Sequence, residues 1–439
     1  MQVLKFGGTS VGSAERMKAL VSLVVNSNPK IVVLSAMSGT TNSLVEIANA
    51  LYEKNNAKAV ELINKLEEKY KLEINKLYSN ETALNKGTQL IKYHFDYIRS
   101  FTLDMFTVNE EKAILAQGEL LSTALFHFYL EEIGVSSVLL PALNFMRIDE
   151  NEEPDLIYIE ENIKNELAKH SGANLFITQG YICRNTFGEI DNLKRGGSDY
   201  TASLIGAAIL AEDVQIWTDI DGMHNNDPRI VNKTHPIEYL SFDEAAELAY
   251  FGAKILHPTC ILPAQKRNIP VKLLNTMQPD AKGTIITASV GEEGIKAVAA
   301  KDGITAINIK SDRMLLAYGF LRSVFEVFER YKTPIDMITT SEVAVSLTID
   351  NASNLDKIIS ELESFGTVSI DKDQSIVCIV GDFGGEKRGY ANKVFDALKD
   401  IPIRMISYGG STHNISVLVE AGQKKNALVA LNKGLFNYN

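Results

Sequence analysis

Cysteine is scarce in this chain: three in 439 residues, Cys183, Cys260 and Cys378, far apart and without a CxxC pair. That spacing excludes a disulfide framework and a thiolate metal cluster, and suits a compartment that keeps thiols reduced. No run of ~18 apolar residues occurs, and no basic leader with a long apolar stretch precedes the first strand-like segment. Neither a membrane span nor a secretory signal is expected, and the reading is a cytoplasmic protein. Positive charge is in deficit too, 44 Lys and Arg against 55 Asp and Glu, a net charge of -11. Nucleic acid and anionic membranes are therefore poor partners, and an anionic ligand has to be held by local cations against a repelling background. The dipeptide Gly-Lys occurs nowhere, which excludes the Walker phosphate loop. A DFG at Asp382–Gly384 has neither HRD nor VAIK before it and is read as chance.

What is present begins at Lys5–Val11, KFGGTSV, directly after a strand-like run. Gly7 and Gly8 let backbone approach an anion closely, Ser10 adds a hydroxyl, and Lys5 is the cation at the loop's mouth. Ala14 onward reads as a helix whose positive end adjoins the same loop. A second strand, Ile31–Ser35, leads into the small-residue loop AMSGTTNSL and a helix from about Leu44, a βαβ opening. Residues from about 53 to 104 read as a solvated helical insertion. Asn109–Leu130 is helical, with Glu119 read near its start. A second glycine cluster, Arg195, Gly196, Gly197, Ser198 and Asp199, precedes a small-residue apolar helix and repeats the anion-site pattern. Strand Val214–Thr218 ends in Asp219, and Arg229 follows; helix Phe242–Leu256 carries Lys254 in its last turns.

The break falls at Gly291–Gly294, GEEG. Beyond it the elements spell βαββαβ and then restart, an internal repeat of a ferredoxin-like unit. Three segments follow: a catalytic domain over 1–290, a first module over about 301–372, and a second over about 374–439. The second repeat lacks a fourth strand, and Ile295–Ala299 is expected to complete its sheet.

The two glycine loops with Lys5, Thr218, Asp219, Arg229 and Lys254 suggest transfer of a phosphoryl group between two anions. A carboxylate acceptor has a reference pKa near 4, so it is ionised already and needs no general base. Charge is the obstacle. Catalysis should consist of cations, amides and Mg²⁺ that hold the reactants in line. Opposite charges ~4 Å apart are worth roughly 4 kcal/mol at an effective dielectric of 20 but about 1 in water, so the cleft should be dry.

KFGGTSV, LAQGELLS around Glu119, RGGSDYTA, WTDIDG with DPR, FGAKILHP and ITTSEVAVSLT, in this order, resemble the aspartate kinase family over nearly the whole chain. The resemblance implies an α/β fold: an amino-acid-kinase, carbamate-kinase-like three-layer domain followed by two ferredoxin-like ACT modules. It also implies conversion of ATP and L-aspartate to 4-phospho-L-aspartate and ADP, with Mg²⁺. Carried over by motif, Lys5 bridges the transferring phosphate oxygens and Asp199 orients it. Phe6, Gly7, Gly8 and Ser10, with Thr218, Asp219, His224, Arg229 and Lys254, match the nucleotide side. Thr41, Glu119, Arg195 and Ser198 match the substrate side, Arg195 for the α-carboxylate and Glu119 for the α-ammonium. No residue is assigned as a protein-held metal ligand. His224 stands where relatives usually show tyrosine, and Asp221 where proline is common.

The repeat is read as regulatory. Met314, Gly319, Phe320 and Leu321 lie in the loop entering its first helix, where free amides could take a carboxylate. Asp336 and Glu342, flanking Thr340 and Ser341, would take a distal cation, which makes the expected effector L-lysine, as in the lysine-sensitive single-function class. A homodimer or dimer of dimers through the ACT modules is expected. The alternatives are a glutamate-type kinase of the same fold and a catalytically dead amino-acid sensor.

Overall fold

The computed structural model describes residues 1–103, 105–194, 196–252, 256–289, 294–311, 314, 318–384 and 388–436. It divides into two compact units. The first comprises Met1–Met223, Glu238–Phe242 and Ile255–Ser289, the second His224–Ile237, Asp243–Lys254 and Val290–Asn439.

In chain order the elements are β1 (Gln2–Phe6), α1 (Ala14–Val24), β2 (Lys30–Leu34), α2 (Thr40–Tyr52), α3 (Asn56–Leu77), α4 (Glu81–Ser100), α5 (Val108–Glu132) and β3 (Val138–Leu140). Next come α6 (Leu156–Ala168), β4 (Leu175–Gln179), β5 (Ile182–Arg184), β6 (Ile190–Asn192), α7 (Gly197–Ile209), β7 (Val214–Thr218) and β8 (Tyr239–Ser241). They are followed by α8 (Phe242–Tyr250), α9 (Pro258–Lys266), β9 (Val271–Asn275) and β10 (Thr284–Thr287). Among the described residues of the first unit one sheet has eight strands in the order β3-β4-β2-β1-β7-β9-β10-β8. Apart from the antiparallel β9–β10 pair, its neighbours are parallel. The carboxyl ends of β1, β2, β4 and β7 thus open on one edge, where ligands of open parallel sheets bind. β2 and β4 are buried along their whole length, as apolar central strands must be.

Two expectations change here. The 53–104 excursion is not simply solvated: α3 and α4 bury Ile63, Leu66, Tyr70, Ile74, Phe95 and Ile98 in the core that also holds Leu4, Phe6 and Leu34. Glu119 is not near a helix start. Thr107 and Glu110 form a capping box that starts α5 at Val108, so Glu119 falls mid-helix in 25 residues, without help from the helix end.

The second unit adds β11 (Gly294–Lys310), α10 (Phe320–Arg330), β12 (Ile338–Thr340), β13 (Ala344–Ile349), α11 (Leu355–Leu362), β14 (Thr367–Asp382), α12 (Tyr390–Ala397), β15 (Met405–Tyr408), β16 (Asn414–Glu420) and α13 (Lys424–Phe436). Among its described residues six strands form one sheet, β12-β13-β11-β14-β16-β15. The segments read as separate strands are fused. β11 runs 17 residues and β14 runs 16, antiparallel through both repeats, with register shifts between Lys301 and Ala306 that carry the ladder past Lys301–Gly303. Val298 pairs with Ile379 and Ala299 with Cys378, in the sheet of the second repeat, while Ile307 pairs with Ile370. Separate cores lie under α10 and α11 and under α12 and α13.

Residues 224–237 and 243–254, read above as catalytic domain, group with this unit. The Asn225 carbonyl accepts the Val298 amide at 2.9 Å, the Asn226 side chain donates to the Leu428 carbonyl at 3.1 Å, and Glu247 accepts from Asn414 at 2.6 Å. Among the described residues no helix is long and apolar enough to cross a membrane, and all three cysteines are free and buried.

Candidate active site

β1 alternates: Leu4 and Phe6 join the core while Lys5 turns the other way, toward α7. Its Nζ lies 2.7 Å from Asp199 Oδ1, both side chains only 11% and 13% exposed. Past Phe6 the chain folds tightly, with the Ser10 amide on the Gly7 carbonyl at 2.9 Å. A Cβ on Gly8 would meet the Ala36 carbonyl oxygen at 2.9 Å, so only glycine lets the β1 and β2 loops approach this closely. Gly196, at φ +72°, leads into α7, and a Cβ there would strike Cys260 Sγ at 2.8 Å.

These loops border one cavity of about 830 Å³, lined by Lys5, Gly8, Thr41, Glu119, Ser198 and Asp199 among the residues singled out above. The two glycine turns therefore open onto the same space. Glu119 reaches it from α5. Its Oε1 accepts the Ala36 amide at 3.1 Å, and its Oε2 is buried without a hydrogen-bond partner. Burial raises its pKa to about 7, the Ala36 amide offsetting part of the effect. A buried, unpartnered acceptor on a residue that lines a cavity favours a cationic or donor ligand.

Other expected positions lie elsewhere. The Phe6 side chain is fully buried, stacked on Trp217 with centroids 5.8 Å apart, so only its backbone could serve a nucleotide. Ser10 is also fully buried and bonded to Thr276 at 2.7 Å. The positive end of α1, expected beside this loop, has its first amide taken by Glu73 Oε2 at 2.8 Å, and the Ser13 side chain accepts the Arg16 amide. Thr218 ends β7, its hydroxyl accepting the Ile220 amide at 3.0 Å ahead of which Asp219 lies. In the second unit Arg229 is 75% exposed and clasps Asp227 at 2.7 and 2.9 Å, and His224 bonds Thr234 at 3.0 Å. α8 ends at Tyr250, short of the expected Leu256, because Gly252 takes φ +136°. Arg195 and Lys254 lie outside the described residues.

The small-residue loop singled out after the second strand supplies Ala36–Gly39, Thr41 and Asn42 to the lining, whereas sequence reasoning missed Tyr181 and Lys194. Tyr181 sits at φ +68°, fixed by the Thr201 hydroxyl on its amide at 3.0 Å and the Leu193 amide on its carbonyl at 2.8 Å. A bulky residue held there stores about 1–3 kcal/mol of strain, a feature that gathers at functional sites. Its place just after FITQ, at a strand's carboxyl end, was the available signal.

In the first repeat of the second unit, Met314, Phe320 and Leu321 are partly buried and pack their side chains against the α10–α11 core. Gly319 precedes α10 at φ +85° and provides no side-chain cap. Thr340, Ser341 and Glu342 are exposed. The Asp336 side chain is 1% exposed and already engaged: Oδ1 lies 2.8 Å from Lys301 Nζ and 2.7 Å from the Tyr250 hydroxyl. Lys301 also meets Asp350 at 2.8 Å and lies 4.3 Å from the Tyr250 ring centroid. Burial works against its charge, yet the two carboxylates hold its pKa above the ordinary lysine range.

Residues 1–275 match the amino acid kinase family, and residues 377–435 match the ACT domain. The chain is 33% identical to lysine-sensitive aspartokinase 3 of Escherichia coli, with 99% of each chain covered. It is also 33% identical to chloroplastic aspartokinase 1 of Arabidopsis thaliana, over 99% of this chain and 80% of that one. The fold is similar to that of E. coli aspartokinase III in complex with aspartate and ADP in the R-state, with a TM-score of 0.85 at 32% identity over 99% of this chain and 100% of that one. It is similar as well to the T-state complex of that enzyme with lysine and aspartate, with a TM-score of 0.81 at 32% identity and 99% of each chain covered. A phosphate-type glycine loop, a buried Lys–Asp pair and an unpartnered carboxylate around one cavity, joined to these full-length likenesses, place the chain in the amino acid kinase family and, within it, among the aspartokinases.

Proposed function

We propose that this chain transfers the γ-phosphoryl group of ATP to the side-chain carboxylate of L-aspartate, giving 4-phospho-L-aspartate and ADP. The observation that carries the reading is the cavity shared by the Lys5–Asp199 pair and the free Oε2 of Glu119. Aspartate enters with its α-ammonium on Glu119, which fixes which end of the molecule faces Lys5. A carboxylate oxygen attacks the γ-phosphorus as the bond to the ADP oxygen breaks; no proton moves. Lys5, held by Asp199, meets the charge that gathers on the transferring oxygens, and Gly8, Thr41 and Ser198 border the same space. A Mg²⁺ carried mainly by the nucleotide's own phosphates would neutralise phosphate charge there.

We further infer inhibition by L-lysine through the first repeat, its carboxylate at the uncapped start of α10 and its side-chain ammonium at Asp336, whose Oδ2 has no partner and whose Oδ1 holds Lys301, so that the two ammonium groups compete for one carboxylate. Lysine sensitivity of the E. coli relative supports this reading. Assembly through the ACT repeat as a homodimer or dimer of dimers, and residence in a reducing cytoplasm that suits three free thiols, complete it. Trapping the acyl phosphate as a hydroxamate, with ADP release followed in parallel, tests the reaction. Turnover with aspartate and not glutamate is expected, halted by lysine. Equal turnover of glutamate would move the chain to the other kinase class, and nucleotide release independent of either amino acid would defeat the assignment.

A further inference from the structure

One face of the helical insertion is left without a role by the reaction. α3 presents Lys69, Glu73 and Lys76 along one side, spaced four and three apart. Lys69 Nζ donates to the Ser38 carbonyl at 2.6 Å, and beside it the fully buried Tyr70 hydroxyl shares a 3.0 Å hydrogen bond with Thr40 Oγ1. One turn on, Glu73 Oε2 accepts the Ala14 amide at 2.8 Å, and the Lys76 carbonyl accepts Lys18 Nζ at 2.7 Å. Ser38 belongs to the loop between β2 and α2, and Thr40 opens α2 just before Thr41. Ala14 opens the helix that follows the Gly7–Gly8 loop.

One helix therefore grips both loops between which the phosphoryl group would pass. Docking of α3 does not require these polar bonds, because Ala59, Ile63, Leu66, Ile74 and Leu77 already bury its inner face. In-line transfer, by contrast, needs donor and acceptor within ~3–3.5 Å, and a displacement of about 1 Å can lower the rate by two orders of magnitude. We propose that α3 is the brace that fixes the separation of the two loops, with Lys69 positioning the aspartate loop and Glu73 the nucleotide loop. The inference rests on the aspartate-phosphorylation reading above.

Lys69→Met and Glu73→Gln in the full-length enzyme test it by steady-state kinetics of aspartate-dependent ADP release. Lys69→Met is expected to raise KM for aspartate roughly 5- to 10-fold with KM for ATP within about 2-fold. Glu73→Gln should raise KM for ATP about 3-fold and leave that for aspartate alone. Lys69→Arg, still able to donate to the Ser38 carbonyl, should restore the aspartate KM. A purely structural role predicts the opposite split: a lowered melting temperature and active fraction, with both KM values within about 2-fold of wild type. That result overturns the brace. Absence of aspartate-dependent ADP release in the wild type would be a separate failure, of the reaction itself. The same split, read as calorimetric affinities for aspartate and ADP, then decides the brace alone.

Discussion

Two buried carboxylates, one in each unit, each leave one oxygen without a partner and differ in what holds the other: a backbone amide on Glu119, a lysine ammonium on Asp336. Glu119 in the first unit is buried with one oxygen unpartnered on a residue that lines a large cavity, and on the proposed function the substrate supplies its ammonium. Asp336 in the second unit is equally buried and also leaves one oxygen, Oδ2, without a partner, but its Oδ1 already holds an ammonium, that of Lys301, and a tyrosine hydroxyl. On the proposed function the first is completed by substrate, and at the second an effector cation meets a carboxylate that the chain's own lysine already half occupies. Leaving a buried carboxylate unpaired costs stability, which a catalytic site tolerates because binding recovers it. A sensor that must release its ligand again gains from an internal competitor, because displacement lowers apparent affinity and keeps the response reversible.

The comparison breaks most visibly at the cation of the first unit. Lys5→Met should lower kcat about 1,000-fold, the scale of losing one preorganised group that stabilises transition-state charge, as measured by ADP release. Retained turnover would mean that the Lys5–Asp199 pair is only structural.

Next in size is Glu119. Glu119→Gln should raise KM for aspartate roughly 10- to 100-fold while KM for ATP holds, the range of a hydrogen bond to a charged group. The pH profile sharpens this. With its pKa raised to about 7, free Glu119 is protonated below that pH and must ionise to take an ammonium. KM for aspartate should then rise up to about tenfold per unit as pH falls below 7 and level off above it, and the glutamine variant should lack this limb.

In the second unit Lys301→Met should make lysine a better inhibitor, its half-inhibiting concentration falling about tenfold, whereas Asp336→Asn should raise it; the coupling range is 1–3 kcal/mol. Each variant's activity without lysine is its own reference. Wild-type sensitivity to lysine with an unchanged response in Lys301→Met would show that the Lys301–Asp336 pair is not what the effector displaces. The smallest effect belongs to Arg229→Ala. The exposed pair with Asp227 should contribute under about 1 kcal/mol, so melting should move by only about 2 °C. A rise in KM for ATP would assign Arg229 to the nucleotide, and none would leave it a surface ion pair.

The sequence by itself determined a great deal. Two glycine loops after strands, Lys5 ahead of the first, and apolar runs too buried for anything but parallel strands are local facts, set by backbone sterics and by side-chain periodicity. The βαββαβ repeat was legible for the same reason. What only tertiary structure decided were relations between distant segments. Glu119 looked like a helix-start carboxylate because its environment comes from the β2 loop, 83 residues away, which no local pattern encodes. The α3 face looked merely solvated because the groups it clasps, Ser38 and Ala14, lie in other elements. Lys301 went unremarked in the sequence, because only β11, running on through it, brings its ammonium to Asp336. Periodicity tells which side of an element is buried. Which charge meets which is settled by the packing of elements whose contacts span the chain, and that pairing sets the chemistry.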